Sequence, residues 1–312
     1  MVAEASIPVD VFNPGQVLAC MGFLEAADAL LGDAEGGFNW MTQPSSFTLR
    51  AAGESNPFEV VLQFLAEAQI KAVAPQGWSA PQKDQTESDD RDVPVPEHLL
   101  RTETFCCRPI DTKEQKLAMK LPVQLSRGEF RVSMSHWADG SSRNDFKLYS
   151  GNRSAFDIAR KMLHGVAAKG KRGADGALDN QGLVQLWQEQ RDALVAAPFD
   201  VLTALGGSFN FDPRGAWTGI DAGYSPNDQE HGVAASPIVE ILAAICLEHA
   251  RPDEFATRKV CYAIWRDLLP PGLARAALAG AVGLAELRRF RFDLDMAGKN
   301  KVVTFAQEEP TP

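Results

Sequence analysis

Cysteine is scarce in this 312-residue chain, and its spacing suits neither crosslinking nor zinc binding. The five cysteines are an odd number without a CxxC pair, which argues against a disulfide framework and a thiolate metal site. Histidine is as thin: His98, His136, His164, His231 and His249 fall in no HxH, HExxH or HxxxH pattern. There is no GxSxG elbow and no GxxxxGK(S/T) phosphate loop. No apolar run approaches the ~20 residues that span a bilayer. The opening MVAEASIPVD lacks the basic start and apolar stretch of a secretion signal. These absences lead us to expect a soluble, cytoplasmic protein with no membrane partner, no metal or other cofactor and no enzymatic activity.

What the chain does hold is core material and an uneven charge. Hydrophobic residues make up 45% of it, enough for one large domain or two modest ones. The net charge is −10, but residues 1–98 carry −11, residues 99–173 carry +8 and residues 174–312 carry −7. Affinity for a polyanion follows the local field, because exposed charges beyond ~8–10 Å are largely screened at physiological salt. A basic middle between acidic flanks suits a protein that touches a phosphate backbone on one face. The competing reading is that folding mixes the three blocks.

Capping chemistry places the helices. Asn13 and Pro14 open a helix with Val17, Leu18, Met21, Leu24 and Leu31 at helical spacing and Gly32 as its stop. Asn56, Pro57 and Glu59 read as a capping box ahead of Val60, Val61, Phe64, Leu65 and Ala68. Further helices are expected over about 154–168, 181–196, 236–249 and 272–287. Strand character appears around Phe38 and Trp40, at Phe47 and Leu49, and over 102–107, 120–125, 130–134 and 145–149. Phe290, Phe292, Leu294 and Met296 alternate with Arg291, Asp293 and Asp295, and a turn at Gly298–Asn300 leads into Val302, Val303 and Phe305, so a closing hairpin is expected. Strands and helices mix without regular alternation, which predicts an α+β fold of antiparallel strands with several packed helices. Three stretches organise it: residues 1–78, an exposed acidic loop or linker over 79–97, and a main body over 98–312.

The basic residues form the most coherent constellation. Lys113, Lys116 and Lys120 lie three to four apart, with Arg127 and Arg131 beyond them. Arg143, Asn144 and Lys147 surround a polar tip beside His136 and Trp137, and the indole is placed to stack on a base. Lys169, Lys171 and Arg172 occupy a Gly-flanked loop where backbone N–H groups and cations can both reach phosphates. A solubilising surface is the simpler alternative for any one of them. Residues 206–232 are glycine-rich and aromatic, anchored by Phe209, Phe211 and Trp217, with Arg214, Asn227 and Gln229 as hydrogen-bonding groups on turns. That loop is read either as a recognition element or as a structural cross-over. Asp228, Glu230 and His231 within it are better explained as a solvated turn than as a metal site.

Two stretches carry a family resemblance. VFNPGQVLACMGFLEAADALLG, followed by Phe38 and Trp40, resembles the start of large subunits of CRISPR Cascade complexes. FDPRGAWTGIDAGYSPNDQ, followed by SPIVEILAAICLEHARP, is similar to the compact large subunit of type I-G (formerly I-U) systems. Asp212, Arg214, Trp217, Asp221, Ser225, Pro226, Asn227, Pro237, Glu240 and Leu247 carry the match. The resemblance covers the first ~40 residues, positions 206–252 and the overall length. It implies a non-catalytic antiviral subunit beside the guide RNA that probes the protospacer-adjacent motif in double-stranded target DNA and helps open it. Its implied partners are the backbone and handle-binding subunits and a helicase–nuclease. Guide pairing reads the sequence there, so protein contacts need little beyond positive charge and a few polar groups.

Two other functions remain open at this level. One is a metal-dependent nuclease or hydrolase using Asp212, Asp221, Asp228 and His231, and the other is a scaffold whose basic middle binds an acidic protein. For the nucleic-acid reading, changing Lys169, Lys171 and Arg172 together to alanine should weaken binding and flatten its salt dependence. Each lost phosphate contact removes about 0.7–0.9 from the log–log slope. An unchanged slope excludes that loop from the contact.

Overall fold

Asn13 and Pro14 do open the first helix, with the Asn13 side chain accepting from the Gln16 N–H. The computed structural model describes residues 1–74, 108–109, 122–137, 146–149, 153–167, 178–215, 234–281, 283, 286–297 and 300–310. Strand β1 (Val2–Pro8) precedes helix α1 (Pro14–Leu31), which leads to β2 (Glu35–Asn39) and β3 (Ser46–Ala52). Next come α2 (Pro57–Glu67), capped by Asn56, and then β4 (Gln69–Ala74), β5 (Arg108–Pro109), β6 (Val123–Arg127) and β7 (Phe130–Met134). Helix α3 (Ala155–His164), capped by Ser154, is followed by the short pair β8 (Val166–Ala167) and β9 (Leu178–Asn180). Helices α4 (Leu183–Glu189) and α5 (Arg191–Ala196), strand β10 (Thr203–Ala204), a 3-10 turn at Pro213–Gly215 and strand β11 (Ala234–Ala235) come next. The order closes with α6 (Pro237–His249), β12 (Asp253–Ala256), β13 (Lys259–Trp265), α7 (Pro271–Leu278), β14 (Leu287–Ala297), β15 (Asn300–Val303) and β16 (Gln307–Glu308).

Three larger antiparallel sheets, and two short two-stranded ones, accompany two central helices. The larger sheets run β1-β3-β2, β5-β4-β6-β7, and β12-β13-β14-β15 with β16 also paired to β14. The fold is α+β, and the C-terminal hairpin turns as expected, with Ala297 opposite Asn300. One hydrophobic core draws on residues from Ile7 to Ala306, so the stretches 1–78 and 98–312 share it. Direct ties cross between them: the Tyr262 hydroxyl donates to the Val11 carbonyl at 2.6 Å, and the Trp265 indole N–H donates to the Gly36 carbonyl at 2.8 Å. The 79–97 stretch lies outside the described residues. No described helix is long and apolar enough to cross a membrane, and the described cysteines are free thiols.

Several boundaries differ from expectation, each for a physical reason. The helix expected to reach residue 287 stops at Leu278, because Gly280 takes a left-handed φ of 72° that ends the helical path. Leu287 instead begins β14. The helix expected over 181–196 breaks at Gln190, whose φ of −136° leaves the helical region. Residues 146–149 are irregular rather than a strand. Met296, expected on the buried face of β14, is 41% exposed near the hairpin tip. Strands β1, β4, β12 and β13 were not foreseen.

The centre is a close pairing of α1 with α6. Both are buried on every side, from Pro14 to Ala27 and from Pro237 to Leu247, and are apolar apart from Gln16, Glu25 and Glu240. Small residues let the backbones approach. A Cβ on Gly22 would stand 2.0 Å from the Leu242 carbonyl oxygen, and one on Gly15 would stand 2.4 Å from that of Phe211. Forcing added volume into a packed core typically costs about 1–3 kcal/mol, and here the obstacle is backbone. We expect Gly22→Val to lower the unfolding free energy in urea by at least ~2 kcal/mol. Gly272→Ala on α7, where nothing lies within 4 Å of the added carbon, should be neutral or stabilising by up to ~1 kcal/mol. Equal effects from the two substitutions contradict the close-approach account.

Candidate nucleic-acid interface

Of the expected contact residues, Lys113, Lys116, Lys120, Arg143, Asn144, Lys169, Lys171, Arg172, Asn227 and Gln229 lie outside the described residues. The structure places the other four, and they divide by what holds them.

Arg214 belongs to the frame. Its Nε donates to both oxygens of Asp212 at 2.9 and 3.1 Å, its Nη2 to Asp212 Oδ2 at 2.7 Å, and its Nη1 to the Phe199 carbonyl at 2.8 Å. Asp212, 1% exposed, also accepts from the Asn13 side chain at 3.2 Å and the Ser236 N–H at 3.1 Å. Asn13 caps α1 and Ser236 caps α6, so a single carboxylate joins the N-termini of both central helices. Glu240, in the first turn of α6, completes the arrangement by accepting the N–H groups of Phe209 at 2.7 Å and Asp212 at 2.8 Å. This network explains the anchored base of the 206–232 loop. It also removes Asp212 from the metal-ligand set considered above, because both of its oxygens are already filled by donors. Asp221, Asp228 and His231 of that set lie outside the described residues. Among the described residues, no group of three or more His, Cys, Asp or Glu side chains is placed to hold a metal ion.

Arg127, at the end of β6, pairs with Glu67 at 2.5 Å, and Lys147 lies 5.5 Å from the Tyr149 ring centre. Trp137 is a correction to the base-stacking expectation. It is 1% exposed and stacks on Phe209, with ring centres 5.4 Å apart and planes at 19°. The ring is spent on the core, beside the buried His136.

Arg131 is the one described member of the set that faces solvent without an ion pair among the described residues. Register shows its setting. Gln69, Ser126 and Arg131 align across β4, β6 and β7, as do Lys71, Gln124 and Ser133. The alternate positions Val123, Leu125, Val132 and Met134 are buried, so these six residues form the outer face. Lys71 is exposed and makes no ion pair among the described residues either. The face thus offers two cations without an ion pair among the described residues, two amides and two hydroxyls, and no carboxylate occupies any of its six positions. Lys71 was missed in the sequence because it sits in an acidic block, and only the strand pairing brings it to Arg131. No protein-family model matches the chain, and no curated protein or solved structure matches it either.

The Glu240 carboxyl has a testable pH signature. Burial pushes its pKa up from 4.5 to about 7, and the like charge of Asp212 adds to the rise, while the donated N–H groups oppose it. A folded-state pKa above the unfolded one gives stability that is complete below about 4.5 and lost as pH rises through about 7. His136 slopes the other way. Burial and then Arg251 lower its pKa from 6.5 to about 3, so its contribution is lost as pH falls through that range. The difference between proteins isolates Glu240: relative to Glu240→Gln, wild type should gain thermal stability as pH falls from about 7 to about 4.5. A difference that stays constant across this window contradicts the assignment.

Proposed function

We propose that the chain is a non-catalytic subunit of a type I-G Cascade effector complex. It contacts guide RNA, target DNA or both through its basic middle, and it binds neighbouring subunits with its remaining surface. The observation that carries this reading is the outer face of β4, β6 and β7. Cations interleaved with amides and hydroxyls are the side chains that hold phosphate and sugar oxygens, and such contacts position a protein on nucleic acid without reading its sequence. Those six positions carry two cations and no carboxylate, although the chain as a whole is anionic.

Of the residues that carry the family resemblance, Trp217, Asp221, Ser225, Pro226 and Asn227 lie outside the described residues, and the others are compatible with the same reading. Asp212, Arg214 and Glu240 hold the frame, and Pro237 takes the first position of α6. A motif made of such residues marks a scaffold that presents surfaces. Most of the basic block, including Lys113, Lys116, Lys120, Lys169, Lys171 and Arg172, borders segments attached to this sheet or to α3 in the chain.

The test is the salt dependence of binding by the full chain, alone and assembled with guide RNA and backbone subunits. Changing Lys71 and Arg131 together to alanine should lower affinity for a short duplex and for guide RNA alike. It should also reduce the log–log salt slope by about 1.4–1.8, the share of two phosphate contacts. Co-purification of guide RNA with the wild-type chain is expected too. An unaltered slope in the double variant removes the sheet face from the interface.

A further inference from the structure

On the C-terminal sheet, two phenylalanines stand out in the solvent. Phe255 on β12 is 50% exposed, and Phe305, between β15 and β16, is 51% exposed. They border one cavity of about 350 Å³, together with Lys259, Arg291, Asp293, Thr304 and Gln307. The sheet's geometry explains the grouping. Phe290, Phe292 and Leu294 of β14 point into the core, so Arg291 and Asp293 take the outer face. Lys259 lies opposite Asp293, and Gln307 lies opposite Arg291. Thr304 closes the edge, its hydroxyl bonded to the Asp293 backbone N–H and carbonyl at 3.1 Å each.

Several cations on this molecule are held by carboxylates. Arg50, Arg160, Lys161, Arg191, Arg266, Arg275 and Arg288 all pair with carboxylates. Lys259 and Arg291 make no ion pair among the described residues, although Asp293 lies directly across the strand from Lys259. Two half-exposed aromatic rings beside Lys259 and Arg291 leave apolar surface in water next to positive charge. A ligand that is flat and apolar in one part and anionic in another complements both.

We propose that this cavity is a second nucleic-acid contact, in which an unpaired nucleobase stacks on Phe255, Phe305 or both while Lys259 and Arg291 hold the adjoining phosphates. Asp293, Thr304 and Gln307 supply hydrogen-bonding groups at the rim for the edge of the base. The proposal rests on the reading that this chain touches nucleic acid, and it adds a single-stranded segment to the phosphate contacts assigned to β4, β6 and β7. Such an arrangement is tolerant of sequence, since every base has a face to stack.

The experiment measures binding of the full chain to an oligothymidylate of about ten nucleotides, by fluorescence anisotropy across a salt series. The variants are Phe255→Ala with Phe305→Ala, Lys259→Ala with Arg291→Ala, and Lys71→Ala with Arg131→Ala. Both phenylalanines are half exposed, so their removal should leave the thermal midpoint unchanged and confirm a folded protein. The phenylalanine pair should weaken binding at least ~5-fold, the effect of losing one stacked base. The Lys259 and Arg291 pair should cut the salt slope by about 1.4, as for two single-strand phosphates. Full affinity in the phenylalanine variant overturns the proposal. If the Lys71 and Arg131 variant still lowers the slope in that case, the nucleic-acid reading of the chain stands without this cavity. Concentration-dependent self-association that disappears in the phenylalanine variant, with oligonucleotide affinity intact, assigns the surface to a second copy of the chain and likewise overturns it.

Discussion

The carboxylate of Asp212 is the point on which the remaining structure depends. It accepts from the cap residues of two central helices and is neutralised by Arg214, which reaches on to the Phe199 carbonyl. Each link is ordinary alone, a cap being worth about 0.5–2 kcal/mol. Together they enclose a buried charge, and removing one partner of such a pair costs about 3–5 kcal/mol because the other is left uncompensated. The network brings the N-termini of α1 and α6 together, while Gly15 and Gly22 let the two backbones close on each other and on the 208–215 segment. Strands β2, β3 and β7 then pack on this helix pair, and α7 links it to β13 of the C-terminal sheet.

That arrangement separates two kinds of charge. Carboxylates and guanidinium groups at the frame are consumed by one another: Glu25 holds Arg275 through two 2.7 Å bonds between α1 and α7, as Asp212 holds Arg214. Of the cations that make no ion pair among the described residues, Lys71 and Arg131 share one sheet face and Lys259 and Arg291 share another. An anionic chain can bind a polyanion on such terms, since what the ligand meets is the nearest few side chains and not the sum.

How much of this was readable in the sequence follows from the range of each interaction. The starts of α1, α2, α3 and α6 were legible because Asn13, Asn56, Ser154 and Ser236 act on N–H groups two or three residues away. Strands β1 and β4 were not, since alanines dilute their alternation and their partners come from far along the chain. The alanine-rich composition after Pro271 kept a helical look past Gly280, where the backbone turns. At the candidate site, the fate of Trp137 depended on Phe209 and that of Arg127 on Glu67, both remote in sequence. Lys71 was hidden by its acidic neighbours, and the Lys259–Arg291 face needed a strand pairing that no local pattern announces. The basic middle was visible as composition, but the face it shares with β4 needed the fold.

The claim that a rigid, self-neutralised frame presents separate cationic faces to nucleic acid can be read directly by hydrogen–deuterium exchange of the chain with and without bound guide RNA. The account predicts new protection over Gln69–Ala74 and Phe130–Met134, and amides around Asp212 and Glu240 that exchange slowly and identically in both states. Protection that appears at the Asp212 segment while the β4 and β7 amides stay unchanged would contradict it.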